Sequence, residues 1–185
     1  MLIVATVFKG VASLLRRYGS PFQFPASPFT DKLQLQHLMS HCSGIRQHYV
    51  HSFSLKQGVP SMLEIMRGLT TDMGGVYSPL GVLFEPETEF AYSGGGFLML
   101  QHVLELLWHA PIAQAMRPFM ESLGMTEFLI EDDGSIPLFP GTADDGSVVP
   151  RRAFPPLAAG IYCVVGLLLF LTTQTTPRRH CLQLS

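Results

Sequence analysis

The sequence predicts a mostly α-helical chain, and two observations lead to that expectation. Apolar residues recur at helical spacing in several segments, with glycine or proline where helices usually begin or end. The 185 residues are 47% hydrophobic and only 14% charged, against about 25% charged residues in ordinary soluble domains. The length suffices for one domain with its own core. The low charge indicates either a membrane-facing part or a piece of a larger domain.

Five segments are expected to be helical. The first, 2–18, is a helix or a strand that runs into one, and it ends at Gly19. The others are 33–40, 60–67, 97–108 and 112–123. Thr30 or Asp31 is the expected N-cap of the second helix. In that helix Leu35, Leu38 and Met39 are spaced to face a core, and in the last helix Ala113, Met116, Met120 and Leu123 are. Residues 97–108 are apolar on nearly every side, which is typical of a buried helix.

The stretch 85–96, Glu-Pro-Glu-Thr-Glu-Phe-Ala-Tyr-Ser-Gly-Gly-Gly, carries the densest pattern in the chain. Pro86 indicates a turn. Phe90 and Tyr92 alternate with their neighbours, which predicts a short strand. Three glycines then lead directly into a helix, so a polar ring is expected at a tight corner.

The remaining segments are expected to be loops. Residues 45–58 and the polar linker 70–78 join helices, and 131–150 is a solvated loop with turns at Asp133-Gly134 and Asp145-Gly146. Ser43 and Ser93 stand beside glycines without a lysine three residues later, so each is expected to be a turn or cap residue. His41 is expected to bond backbone carbonyls at the end of its helix.

Charge and cysteine content exclude several function classes. The net charge of −2 gives no basic field for nucleic acid. His37 and His41 stand four residues apart without the acidic neighbour of a zinc motif, so neither a metal nor a cofactor is expected. Three cysteines without a Cys-x-x-Cys pair indicate reduced thiols, which slightly favours a cytoplasmic setting.

The end of the sequence differs in composition from the rest. Residues 153–177 carry no charge, and 161–171 are a continuous apolar run. The run is shorter than the roughly 18 residues of a confident membrane span. Extending it to 157–173 keeps a membrane anchor open as an alternative. We therefore expect a main domain at 1–162 and an atypical apolar tail at 163–185.

Several segments, in order, resemble the serine β-lactamase-like hydrolases, a family of class C β-lactamases, penicillin-binding-protein relatives and esterases. Residues 33–45 are similar to the family's His-Leu-Leu-Ser-His-Thr-Ser-Gly-Leu segment, and 85–96 to its Glu-Pro-Gly-Thr-x-Phe-x-Tyr-Ser-Gly-Gly-Gly motif. Residues 58–68, 110–125 and 157–162 resemble the intervening and following pieces. The resemblance implies an α+β fold of the β-lactamase/transpeptidase type, of which this chain holds mostly the helical subdomain and little of the sheet.

The resemblance also implies acyl transfer, in which the Ser of a Ser-x-x-Lys motif forms an acyl-enzyme with a β-lactam, peptide or ester. It places Tyr92 at the general-base position. Gly94 stands in the substrate-binding position that is often Asn, which points away from a β-lactam substrate.

Two family motifs are absent from the sequence: Ser-x-x-Lys and the later Lys-Thr-Gly or His-x-Gly. Thr6 and Lys9 have the right mutual spacing but lie too close to His41 in sequence. We therefore expect a chain truncated at both ends and inactive as written. The alternative is a non-catalytic helical interaction module or a tail-anchored membrane protein.

Overall fold

The computed structural model describes residues 9–48, 52–56, 58–70, 74–125, 128–129, 141–150, 152–153, 157 and 162–163. Within these residues the helices are α1 (Val11–Arg17), α2 (Leu35–Met39), α3 (Met62–Arg67), α4 (Gly94–Trp108) and α5 (Ile112–Ser122). A 3-10 turn, Thr30–Lys32, precedes α2. The fold class predicted from the sequence, mostly helical with little sheet, is confirmed.

The strands of the described part are two residues long and pair only in antiparallel couples. They are β1 (Phe53–Ser54), β2 (Leu69–Thr70), β3 (Val76–Tyr77), β4 (Phe128–Leu129), β5 (Gly141–Thr142), β6 (Val148–Val149), β7 (Arg152–Ala153) and β8 (Tyr162–Cys163). The pairs are β1 with β7, β2 with β3, β4 with β8, and β5 with β6. The β5–β6 hairpin turns at Asp145-Gly146, as predicted. Asp133-Gly134 lies outside the described residues.

Helix α4 is the centre of the core, because α1, α2, α3 and α5 all pack against it. Its Leu98, Met99 and Val103 are buried. The side chains that meet them are equally inaccessible: Val11, Leu14, Leu38, Ile45, Ile65 and Met66. Burying each such side chain contributes about 1.5–3 kcal/mol. The buried residues of α4 lie between Gly94 and Val103, whereas Trp108 at its end is 40% exposed, so the prediction of a buried helix is confirmed for its N-terminal part.

Polar side chains on α4 fix the next helix and the chain beyond it. The Gln101 amide donates to Glu105 at 3.0 Å, and the same Glu105 oxygen accepts the backbone N–H of Ile112 at 3.0 Å. The Gln101 carbonyl accepts the backbone N–H of Leu157 at 3.1 Å. A first-turn N–H of α5, which a helix leaves unpaired, thus has a partner.

Several boundaries differ from the sequence predictions around the first two helices. Of the predicted helix 2–18, residues 1–8 lie outside the description, and α1 itself starts at Val11 and ends before Gly19, as expected. Helix α2 starts two residues late because Leu33 is extended and its carbonyl accepts the Val11 N–H at 2.8 Å. Gln34, rather than Thr30 or Asp31, is the N-cap of α2. Its backbone N–H donates to His37 Nδ1 at 3.1 Å, and its backbone carbonyl accepts the His37 N–H at 3.1 Å.

Other predictions fail for packing reasons. Met39 is exposed, because α2 has only one short face against the core. Leu123 is also exposed and lies just past the end of α5, whereas Ala113, Met116 and Met120 pack around Ile112 as expected. The linker 70–78 contributes to the β2–β3 hairpin, since Leu69 pairs with Tyr77.

Neither a membrane span nor a metal site is found in the described part. No helix there is both long enough and apolar enough to cross a bilayer. No group of three or more His, Cys, Asp or Glu side chains among these residues is arranged to hold a metal ion. Most of 157–173 lies outside the description, so the anchor alternative stays untested there.

Candidate active site

The residues around Tyr92 are held by a ladder of backbone hydrogen bonds between two segments, 41–47 and 83–95. Four N–H groups of the second segment donate to carbonyls of the first: Leu83 to Gly44, Glu87 to Cys42, Ala91 to His41 and Gly95 to Gln47, at 2.7–2.9 Å. Because these donors are used here, the predicted strand at Phe90 and Tyr92 does not form. That prediction was wrong: residues 86–88 form a turn and bend, and no strand is assigned in 85–93.

Gly44 allows the two segments to approach this closely. Its φ is +76°, a left-handed value that favours glycine. A Cβ on Gly44 would lie 2.1 Å from the carbonyl oxygen of Phe84. Glycine is therefore required here both for its conformation and for its lack of a side chain.

Ser93, the residue after Tyr92, caps the N-terminus of α4. Its hydroxyl accepts the Gly96 N–H at 3.0 Å and donates to the Gln47 carbonyl at 3.0 Å. The predicted role of Ser93 as a cap is confirmed. The helix therefore begins at Gly94, and the three glycines form its first turn instead of a corner before it. Ser43 has the predicted turn role, because its hydroxyl accepts the Ile45 N–H at 3.3 Å.

Two histidines flank the Tyr92 ring. His41 lies against it with ring centres 4.5 Å apart, and His48 lies at 5.5 Å. Phe97 and Phe90 complete the surroundings of His41, at 5.2 and 5.8 Å. Tyr92 itself is 52% exposed, and its hydroxyl has no hydrogen-bond partner among the described residues. We call Tyr92, His41, His48, Phe90 and Phe97 the Tyr92 cluster.

The protonation of His41 is tied to this arrangement. Its Nδ1 accepts the backbone N–H of Ser93 at 3.2 Å, which requires that nitrogen to be unprotonated. Burial lowers the pKa of His41, and the neighbouring His48 lowers it further. Both effects favour the neutral ring that the hydrogen bond needs. The expectation that His41 bonds backbone carbonyls is thus wrong: its ring accepts from a backbone N–H.

Charged side chains surround the cluster. The Arg46 guanidinium bonds Glu89 at 2.6 Å and lies 4.7 Å from the centre of the Phe84 ring. The buried His37 donates from Nε2 to the Glu87 carboxylate at 3.0 Å, since its Nδ1 accepts the Gln34 N–H. The Arg46–Glu89 ion pair and the His37–Glu87 hydrogen bond both join the 34–47 region to 85–89 and reinforce the backbone ladder.

The sequence-predicted site residues are only partly brought together. Tyr92 is half exposed, and Gly94, two residues later, is buried in the first turn of α4. Lys9 is exposed just before Gly10, which bridges Gln34, and no contact joins Lys9 to Tyr92 within the described part. Thr6 lies outside the described residues.

His48 and the ring contacts of His41 are the site features that the sequence did not reveal. Each histidine is more than forty residues from Tyr92 along the chain, so no local spacing marks them. The only sequence signal for these contacts was the glycine pattern, because Gly44 and Gly94–Gly96 permit close backbone contact.

Solved structures of known proteins share this fold. A penicillin-binding protein from Bacillus halodurans superposes with a TM-score of 0.54 at 18% identity, covering 91% of this chain and 55% of that one. A D-amino acid amidase from Ochrobactrum anthropi gives 0.54 at 17%, covering 91% and 55%. A D-stereospecific amidohydrolase from Streptomyces sp. gives 0.57 at 18%, covering 89% and 52%.

The chain therefore spans about half the length of these structures. No family model matches the sequence, and no curated protein matches it. Identities this low establish the fold and leave the activity open. The helices packed around α4, with the Tyr92 segment ahead of it, have the β-lactamase/transpeptidase-like fold of penicillin-binding proteins and D-amino acid amidases.

Proposed function

We propose that this chain supplies the tyrosine side of an acyl-transfer site of the β-lactamase-like serine hydrolases, with Tyr92 in the general-base position. The observation that carries the proposal is a half-exposed tyrosine with an unpartnered hydroxyl, held between two histidines by a rigid hydrogen-bonded ladder. A general base must present its oxygen to a reacting group with little freedom. The hydrogen bonds of Ala91 and Ser93, on either side of Tyr92 in the chain, support this role.

The nucleophile is the part that these residues do not provide. Serine is a weak nucleophile unless a base or lysine activates it, and the sequence contains no Ser-x-x-Lys. Thr6 and Lys9 are the only pair with that spacing. We therefore propose that these 185 residues do not complete an acyl-enzyme by themselves.

The substrate class follows from the fold relatives and from position 94. The relatives are described as a penicillin-binding protein, a D-amino acid amidase and a D-stereospecific amidohydrolase. Gly94 offers no side-chain amide to hold a substrate carbonyl. We propose small D-amino acid amides, peptides or esters ahead of β-lactams as the acyl donors of the complete site.

An acyl probe tests both statements. The full chain is incubated with a fluorescent penicillin and with a fluorophosphonate, and any adduct is located by peptide mass spectrometry. Thr6→Ala and Tyr92→Phe are the matched variants. We expect no labelling above that of either variant. Stoichiometric labelling of Thr6 that is lost in both variants would contradict the proposed inactivity and still support Tyr92 as the base.

The domain division 1–162 and 163–185 stays a proposal, and so does the membrane alternative through 157–173. The uncharged run 161–171 is what favours the latter. The burial of Leu98, Met99 and Val103 in the core does not support α4 as an open apolar surface for a partner. Carbonate extraction of membranes from expressing cells decides the rest: retention in the pellet supports an anchor, and release supports the tail as part of the hydrolase-like chain.

A further inference from the structure

An open cleft of about 500 Å³ lies beside α1 and shares no residue with the Tyr92 cluster. Its lining includes Leu15, Arg16, Ser20, Phe22, Phe24 and Thr30. Ligand sites in proteins usually have volumes of about 300–1,000 Å³, with an apolar lining and a few polar groups. This cleft has a volume in that range, and polar and apolar side chains share its lining about equally.

The wall formed by residues 19–24 is fixed in place before any ligand binds. The Ser20 hydroxyl bonds Nε2 of the buried His102 at 2.7 Å and accepts the Phe22 N–H at 3.0 Å. Burial lowers the pKa of His102, which favours the neutral ring, and a neutral ring can accept a hydrogen bond from the hydroxyl. Phe22 and Phe24 meet edge to face at 5.2 Å. Fixed walls reduce the entropy that a ligand must overcome on binding.

Thr30 leaves a polar atom without a partner at this cleft. Its Oγ1 is buried and has no hydrogen-bond partner among the described residues, although nearly all buried hydroxyls in proteins have one. Because Thr30 also lines the cleft, its hydroxyl is the group with which a ligand there would pair. A hydrogen-bonding ligand would therefore complete a group that the protein leaves unsatisfied.

The charge at the cleft favours a ligand with a single negative charge. Arg16 is the cationic side chain in the lining, and the Asp31 carboxylate lies 3.6 Å from its Nη1. Both side chains are largely exposed, so this pair is loose and the guanidinium retains free donors. A dianion would be repelled by Asp31, whereas one carboxylate can be held by the fork of the guanidinium.

We propose that this cleft binds a small monocarboxylate with an apolar body, the carboxylate on Arg16 and Thr30 and the body against Leu15 and Phe24. The binding site is independent of the acyl-transfer chemistry proposed for Tyr92. No enzymatic step is assigned to it.

Titration of the full ¹⁵N-labelled chain with 4-phenylbutyrate tests the proposal. We expect chemical-shift changes centred on residues 12–24 and 30 and a dissociation constant on the order of 1 mM. 4-Phenylbutanol and phenyl phosphate are the matched probes, neutral and dianionic, and each should bind at least about fivefold more weakly. Absence of saturable shifts at these residues, or equal binding of the alcohol, would overturn the proposal.

Three variants locate the contacts. Arg16→Gln should weaken 4-phenylbutyrate binding about tenfold, and Thr30→Val about threefold, because each removes one hydrogen-bonding group. Arg17→Gln is the control, since Arg17 is adjacent on the same helix but does not line the cleft. An equal effect of Arg16→Gln and Arg17→Gln would show general charge attraction and would also overturn the site.

Discussion

A methyl group at position 44 would lie inside the van der Waals radius of a neighbouring carbonyl oxygen, which makes Gly44 the most constrained residue beside the Tyr92 cluster. Gly44→Ala should destabilise the chain by about 3 kcal/mol. About 1 kcal/mol of this comes from the left-handed φ of +76°, and the rest from displacing Phe84, whose oxygen is 2.1 Å from the new Cβ. Urea unfolding followed by circular dichroism measures the loss.

Gly124 provides a control with the same backbone angle. Its φ is also +76°, but nothing lies within 4 Å of an added Cβ. Gly124→Ala should therefore cost only about 1 kcal/mol. Equal losses in the two variants would mean that the 41–47 and 83–95 segments are not packed as closely as the structure shows.

Glu87 is the opposite case, because it carries a side chain at a left-handed φ of +69°, a value that favours glycine. The motif that 85–96 resembles has glycine here. Glu87→Ala and Glu87→Gly both remove the carboxylate that accepts from His37, so the difference between them reports the backbone alone. We expect the glycine variant to be about 1 kcal/mol more stable than the alanine variant in urea. The reverse order would contradict the left-handed conformation.

At the scale of single elements, the start of α4 determines where Tyr92 lies. Ser93→Ala should lower stability by about 2 kcal/mol, because it leaves the buried Gly96 N–H unpaired and removes the tie to Gln47. It should also broaden the Tyr92 ring resonances in NMR spectra. If Ser93→Ala lowers stability but leaves the Tyr92 resonances unchanged, the start of α4 does not determine the position of Tyr92.

Helix α3 offers the matched comparison. Ser61 caps it by accepting the Glu64 N–H at 3.3 Å, in an exposed position. Water can replace that hydroxyl, so Ser61→Ala should cost about 1 kcal/mol and leave the Tyr92 resonances unchanged.

An element could be predicted from the sequence where the residues that determine its ends are its neighbours in the chain. The helix Met62–Arg67 was predicted within two residues at its start, because Pro60 and Gly68 mark its ends in the sequence. The start of α2 was not predicted correctly, because the Leu33 carbonyl accepts the N–H of Val11, which lies far away in the sequence, and Leu33 is extended. The strand expected at Phe90 and Tyr92 failed for the same reason: their alternation was real, but the backbone bonds run to 41–47.

At the scale of the whole molecule, the order of the motifs predicted the fold. The contacts between the residues of the candidate site could not be predicted from the sequence. Tyr92 was identified from its own segment. His41 and His48 approach it only after α2 and α4 pack together, which no spacing in the sequence encodes. The cleft beside α1 was likewise invisible, since Thr30 and Arg16 become neighbours through the turn at 19–24.

The two histidines with lowered pKa values make the stability of the whole chain depend on pH. For His41 and His102, the folded pKa lies below the unfolded value of about 6.5, so the unfolded state binds more protons. Their contribution is complete above pH 6.5 and is lost as pH falls through the lowered folded values. The urea midpoint should therefore decrease between pH 7.5 and 5.5.

Variants separate the two contributions to this slope. His102→Gln retains a hydrogen-bonding partner for Ser20 and cannot titrate, so the loss of stability between pH 7.5 and 5.5 should become smaller. His41→Gln should reduce it as well, and it should make the Ser93 amide resonance insensitive to pH, because that N–H then no longer reports protonation of the ring. A slope that is unchanged in both variants would show that other groups control the pH response, and it would remove the structural reason for keeping His41 neutral beside Tyr92.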